Sequence, residues 1–373
     1  MAIGPILGGI ITHFLTWRWI FFVNFPLIFL SLAMCIPTIP ASTNQRTQEK
    51  IDWLGFIFLA IFIVTVVLTA LSFTNTAVNN KLVILLLALA MLMAIALLFW
   101  EPRCRYPLLS PRLFSQRRFI ICALFTMTIG AFYGLAFFIL PFYLNNIKNL
   151  NDLNVGLFLL PATLILAVIS LYIGRLIEKG TSLKLLLCIG FLALTLSMGL
   201  QLFFTAATSL WLITIPLIIL GIGWGLTTNP SSIVALECGD DSMSGVILGT
   251  IWTMLNIGSS VATATGTALF HGYAKATLLQ NLATQHITLH SYSWINSVIS
   301  DPRHAIAILT EQTALPTAAV HQLFAQYFMS GYHAAVSLLA ILALVTFFIV
   351  WIFLPTDKRK HTAVEAEQRI AID

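Results

Sequence analysis

Of the 373 residues, 59% are hydrophobic and 9% are charged, where ordinary soluble domains carry roughly 25% charged residues. So little polar surface excludes a water-soluble globular enzyme. The net charge of +5 is too small and too dispersed for a nucleic-acid binder.

In chain order, the first apolar stretch is residues 2–14, which at 1.5 Å per residue reaches only about 20 Å. No basic segment precedes it, so it does not read as a cleavable signal peptide. Nine longer segments each supply the roughly 20 apolar residues that cross about 30 Å of hydrocarbon. They are 20–37, 53–73, 82–100, 119–145, 154–174, 184–204, 209–229, 243–270 and 331–354. Asp52 precedes the second of these as an expected N-cap. The connection 101–118 is basic and punctuated by Pro102, Pro107 and Pro111, as expected of a solvated linker lying against lipid headgroups. The longest connection is 271–330, polar to mildly amphipathic, with surface helices expected over 303–314 and 317–329.

Basic residues orient the spans. If the loop around Arg18 is external and the connections alternate, 14 of the 19 lysines and arginines fall inside, and Arg18, Lys81, Lys148, Lys275 and Arg303 fall outside. The expectation is therefore a multi-pass protein of the cytoplasmic (inner) membrane, with the tail 356–373 in the cytoplasm and the lipid bilayer as its solvent. Cys35, Cys104, Cys122, Cys188 and Cys238 are scattered without metal-ligand spacing and read as free thiols. His286 and His290 stand four apart, a spacing metal ligands can use on a helix, yet no further ligand is evident, and no metal or other cofactor is expected. No nucleophile–His–acid grouping and no phosphate loop occurs, so catalysis is not expected.

Several runs, in this order, carry a family likeness. Gly4-Pro5-x-x-Gly8-Gly9 resembles the antiporter signature of major facilitator drug:proton antiporters. Trp17-Arg18-Trp19-Ile20-Phe21 with Asn24 and Pro26 resembles the link into the sixth helix of the fourteen-helix (EmrB/QacA-like) branch. Asp52-Trp53-x-Gly55, Arg112-Leu113-Phe114 and Leu159-Leu160-Pro161 continue the likeness through the two extra helices, the linker and the tenth helix. Gly174-Arg175-Leu176-Ile177-Glu178-Lys179-Gly180 is similar to the gating loop of the second half, with Glu178 and Lys179 as its charged candidates. It has Glu where Asp is usual, Lys where Arg is usual, and one residue too few before Gly180.

The resemblance implies an all-α polytopic bundle of major facilitator type, with nine full spans and one partial N-terminal helix. It divides the chain into the end of a first six-helix half (1–38), two extra helices and a basic loop (39–118), a second six-helix half including the loop 271–330 (119–355), and a tail (356–373). Relative to the family plan, the first four helices and part of the fifth are lacking. The implied function is proton-coupled export of drugs or other small amphipathic molecules by alternating access, with a periplasmic adaptor protein as a possible partner of the long loop. The alternative is a non-transporting remnant of a truncated gene, or a membrane interaction protein.

The fourteen acids all fall at helix ends, in loops or in the tail, so none reads as a mid-membrane proton carrier. Substrate-cavity candidates are Tyr133, Phe138, Phe142 and Tyr143, because aromatic walls suit hydrophobic and cationic compounds; the same rings could instead face lipid or neighbouring helices. Phe138 and Phe142 are expected to share a helix face with Leu135. Asn256, amid small residues on the span 243–270, either lines a cavity or bonds another helix. Gly221-x-Gly223-x-Gly225 lies in an apolar span with no preceding strand, so helix packing is expected there rather than nucleotide binding.

Overall fold

The computed structural model describes residues 4–38, 52–72, 80–104, 111–239, 243–284, 310 and 316–355, and every regular element among them is helical. The α-helices are α1 (Gly4–Phe14), α2 (Trp19–Phe22), α3 (Asn24–Thr38), α4 (Trp53–Ser72), α5 (Asn80–Trp100), α6 (Pro111–Phe114) and α7 (Arg117–Ala131). There follow α8 (Phe137–Asn146), α9 (Asp152–Glu178), α10 (Leu183–Gln201), α11 (Leu210–Leu236), α12 (Ser244–Thr284) and α13 (Thr317–Phe353). Eight helical stretches among the described residues are long and apolar enough to cross a membrane. Helix α4 adds a further 20-residue apolar helix. At 11 residues, α1 reaches only about 16 Å. The protein is an all-α, multi-pass membrane bundle.

The core lies within α7–α13, where Phe119, Phe125, Leu135, Phe191, Leu194 and Tyr332 are almost wholly buried. In a bilayer, helices associate through close packing and polar contacts rather than hydrophobic expulsion, and both devices are present. A Cβ on Gly258 would collide with the carbonyl oxygen of Met127, and one on Gly130 with that of Leu255, so α7 and α12 cross backbone to backbone. In the triplet on α11, Gly221 and Gly225 face α9 while Gly223 faces α10, which is the packing role expected. Buried hydroxyls pair between helices: Thr128 with Thr346 at 2.7 Å, and Tyr332 donating to Gln201 at 2.7 Å.

The bundle has two distinguishable ends. At the basic end, Arg118 at the start of α7 forms an ion pair with Glu237 just after α11. Glu237 is therefore not part of a simply solvated acidic turn, as its loop position suggests; Asp240 and Asp241 lie outside the described residues. At the far end, Tyr143 donates to the Thr205 carbonyl at 3.0 Å, and Lys148 donates to the carbonyls of Ala206 and Thr208. Burial pushes the Lys148 amine below its usual range. All five cysteines are free.

Among the described residues, the first 100 positions pack on the rest of the bundle mainly at two places. Helix α1 packs on α9, and the α4–α5 hairpin packs through α4 on α12. Asp52 caps α4 as expected, accepting from the Gly55 amide at 2.9 Å and the Trp100 indole at 3.0 Å, which also closes the hairpin. By contrast, α3 buries none of its residues.

The greatest departure from the hydropathy reading is at α12 and α13. Residues 271–284 and 317–330 do not form loop with a separate surface helix; they continue the two spans, giving helices of 41 and 37 residues. At 1.5 Å per residue these are about 60 and 55 Å long, well beyond the hydrocarbon. An apolar seam sustains them, with Ala274, Leu278 and Leu282 buried on one side and Val320, Phe324 and Phe328 on the other. His321, Gln322 and Gln326 on the outer face lower the local hydropathy without ending the helix. Apart from Thr310, the helix expected over 303–314 lies outside the described residues, as do His286 and His290.

Candidate functional site

The aromatic candidates stand around a break in one helix. Between α7 and α8, residues Phe132–Ala136 form a π-helical turn, a feature common at functional sites. It lies just before Phe137, the carbonyl that Pro141 cannot bond and crowds. The turn carries Tyr133, which remains 38% exposed with its ring edge-on to Trp224 at 5.0 Å, while Phe137 lies 4.8 Å from the same indole. Tyr133, Phe137 and Trp224 thus make one aromatic wall between the π turn and α11.

The other candidates lie elsewhere. Phe138 stacks on Phe142 at 6.0 Å, and Phe142 continues into Phe270 and Phe328. Leu135 is fully buried while Phe138 is 41% exposed, so the face they are expected to share is split by the π turn, whose extra residue per turn shifts the register. Tyr143 has no exposure; it packs among Phe204 and Tyr332, and its hydroxyl is committed to Thr205. Asn256 is exposed on α12 and donates to the Trp252 carbonyl of its own helix at 2.8 Å. The residues that sequence reasoning passed over are Phe137 and Trp224. The signal for Trp224 was its position inside the glycine triplet, which lets neighbouring backbones close around a large ring.

In the gating-loop run, α9 ends at Glu178. The Thr181 amide bonds the Leu176 carbonyl, the Gly180 amide bonds that of Ile177, and Gly180 has φ 82°. This is a Schellman stop, which favours glycine at that position. Gly174, Glu178 and Lys179 are exposed, and among the described residues the ion pair found is Arg118–Glu237. In the N-terminal run, Gly9 is the close-contact glycine: a Cβ there would lie 2.7 Å from the Asp152 carbonyl at the start of α9, whereas Gly4 and Gly8 face open space. Pro5 lies in the same helix, and Thr12 donates back to Gly8 at 2.8 Å. The described acids, Asp52, Glu101, Asp152, Glu178 and Glu237, all sit at helix ends.

The sequence model of the Major Facilitator Superfamily matches residues 1–263, well over half of a chain whose helices form a multi-pass bundle. The chain belongs to the major facilitator superfamily. Among relatives of this superfamily chain, an uncharacterised MFS-type transporter of Mycobacterium tuberculosis is 26% identical over 269 residues, covering 72% of this chain and 39% of that protein. The riboflavin transporter RibZ of Clostridioides difficile is 28% identical, covering 74% and 59%. A multidrug resistance protein B homolog of M. tuberculosis is 25% identical over 370 residues, covering 96% and 65%. This member of the superfamily thus spans between 39% and 65% of the length of these relatives. Two of these relatives are transporters by name.

Proposed function

We propose that this chain serves in the export of small amphipathic compounds, in the fourteen-helix drug:proton antiporter branch (EmrB/QacA-like), from the cytoplasmic membrane with its C-terminal tail in the cytoplasm. The observation that carries the reading is the aromatic wall of Tyr133, Phe137 and Trp224 beside a π turn. In that wall Tyr133 is the exposed ring and Trp224 is buried behind it, so Tyr133 offers a flat or cationic compound area burial and cation–π attraction on a support that Phe137 and Trp224 hold in place. The names of relatives, a multidrug resistance protein homolog and a riboflavin transporter, are consistent with that substrate class. The α12–α13 extension beyond the membrane is the surface on which an adaptor protein would dock.

Alternating access needs two halves around a central site. The transporting unit in this proposal therefore includes a first helical half, against which α3 would bury its faces and which would supply the proton-carrying carboxylate. A second reading is a non-transporting remnant or interaction protein, in which α3, which buries nothing within the chain, meets lipid or a partner instead. The test is dye accumulation in cells lacking their own pumps. Residues 1–373 expressed alone are expected to leave accumulation unchanged. The same residues with an in-frame upstream extension encoding further spans are expected to lower it, reversibly with a protonophore. Within that longer protein, Tyr133→Ala or Trp224→Ala should weaken efflux about threefold to thirtyfold, the equivalent of losing an aromatic contact of about 0.5–2 kcal/mol. Absence of such an open reading frame, or efflux indifferent to both substitutions, would overturn the exporter reading.

A further inference from the structure

A groove of about 860 Å³ opens between α12, α13 and the loop after α10, within the roughly 300–1,000 Å³ range of small-molecule sites. It shares no residue with the aromatic wall. Its floor, Phe204, Thr205 and Ala206, lies beside Phe203 and Trp211, which are 80% and 85% exposed. Large exposed rings at a helix end mark the level where hydrocarbon meets headgroups. His333 is at the same level, its Nε2 lying 2.8 Å from the Phe204 carbonyl; since a carbonyl only accepts, Nε2 carries the hydrogen.

Polarity changes along the groove in step with depth. On the membrane side the lining is Leu269, Leu338 and Ile341, and from Ile341 to Phe353 helix α13 carries a series of exposed apolar side chains. Toward the outer side the lining is Thr277, Gln326, Met329, Ser330 and His333, and Ser337 lies one turn deeper beside Leu338. Gln326 accepts from Asn281 with its oxygen, leaving its amide hydrogens, whereas Ser330 both accepts from Thr277 and donates to the Tyr273 carbonyl, leaving it one acceptor position. Among the described residues no lysine, arginine, aspartate or glutamate lines the groove; Lys148 lies behind its floor, with its amine committed to the carbonyls of Ala206 and Thr208.

We propose that this groove is a binding site for a neutral-headed membrane lipid, with an alkyl chain lying along Leu269, Leu338 and Ile341 and a hydroxylated, uncharged head at Gln326, Ser330 and His333. The position at the interface, the amide and hydroxyl groups of Gln326 and Ser330 above an apolar Leu269, Leu338 and Ile341, and the uncharged described lining favour that chemistry over an anionic phospholipid.

The test is photolabelling of the full chain in lipid nanodiscs with a monoacylglycerol carrying a diazirine in its chain, compared with a phosphatidylglycerol carrying the same diazirine. Labelling readable by mass spectrometry is expected on 269–277 and 326–341 with the monoacylglycerol. A tenfold loss is expected on filling the groove with Leu338→Trp, and a smaller loss with Ser330→Ala, which keeps the groove open. Retained labelling on α9 and α10 in both variants reports an intact fold, and Ser330→Ala stands as the test if Leu338→Trp fails to fold. Labelling spread evenly over the lipid-facing helices, equal labelling by phosphatidylglycerol, or labelling unaffected by the variants would each overturn the proposal. The readout is binding, so it does not depend on whether the chain exports anything.

Discussion

At the scale of single residues, Asp52 does the most with one side chain. Burial alone would raise its pKa, but hydrogen bonds from the Gly55 amide, the Trp100 indole, Cys104 and the Leu54 amide outweigh that and hold it below the usual carboxylate range. It satisfies an orphan amide at the start of α4 and joins α4 to α5. Asp52→Ala is expected to cost about 1–2 kcal/mol, read as a lower melting temperature in detergent. Asp52→Asn, which keeps an N-cap acceptor, should cost less. A carboxylate with a depressed folded pKa contributes stability that is complete above its unfolded pKa and is lost as pH falls through the folded one. The melting difference between wild type and Asp52→Asn should therefore shrink as pH drops below the carboxylate range; a difference that stays constant or grows would contradict this account. The cap was legible from Asp52-Trp53 alone, because capping is local. The Trp100 partner, 48 residues away, was not.

At the scale of elements, the α7–α12 crossing holds the core of α7–α13 together. Gly258 sits against the backbone of α7, while Gly249 on the same helix faces open space. Gly258→Ala should cost at least the 1–3 kcal/mol of an overpacked site and show as aggregation or loss of the monodisperse peak in size exclusion. Gly249→Ala should be neutral or gain up to about 1 kcal/mol of helix propensity. Similar behaviour of the two would remove the close crossing from the account. The sequence showed that α12 is rich in small residues; it did not show which of them face a neighbour, since that depends on helix rotation. The π turn was illegible for a related reason. Its residues read as ordinary apolar helix, and only the competition between Pro141, the Phe137 carbonyl and the packing of Gly134 against Ser259 and Thr263 sets the register. Leu135 and Phe138, three residues apart and expected on one face, accordingly end in different surroundings, one in the core and one exposed.

At the scale of the whole molecule, the charge distribution gives the orientation a direct test. A reporter fused after Pro355 is expected to be fluorescent as a cytoplasmic protein and inactive as a phosphatase; the reverse would invert every connection. The approximate positions of the apolar helices and the helical class followed from the sequence by itself, because crossing a bilayer requires about 20 apolar residues with internally satisfied backbones, and that demand is written into composition; of the nine full spans expected, eight among the described residues are long and apolar enough. The tertiary structure alone decided that α12 and α13 continue far past the length that crosses a membrane, that Phe137 and Trp224 join Tyr133, and that a groove opens beside His333. Those features depend on which helix faces meet, and in a chain apolar on nearly every face the sequence pattern does not single out the contacting side.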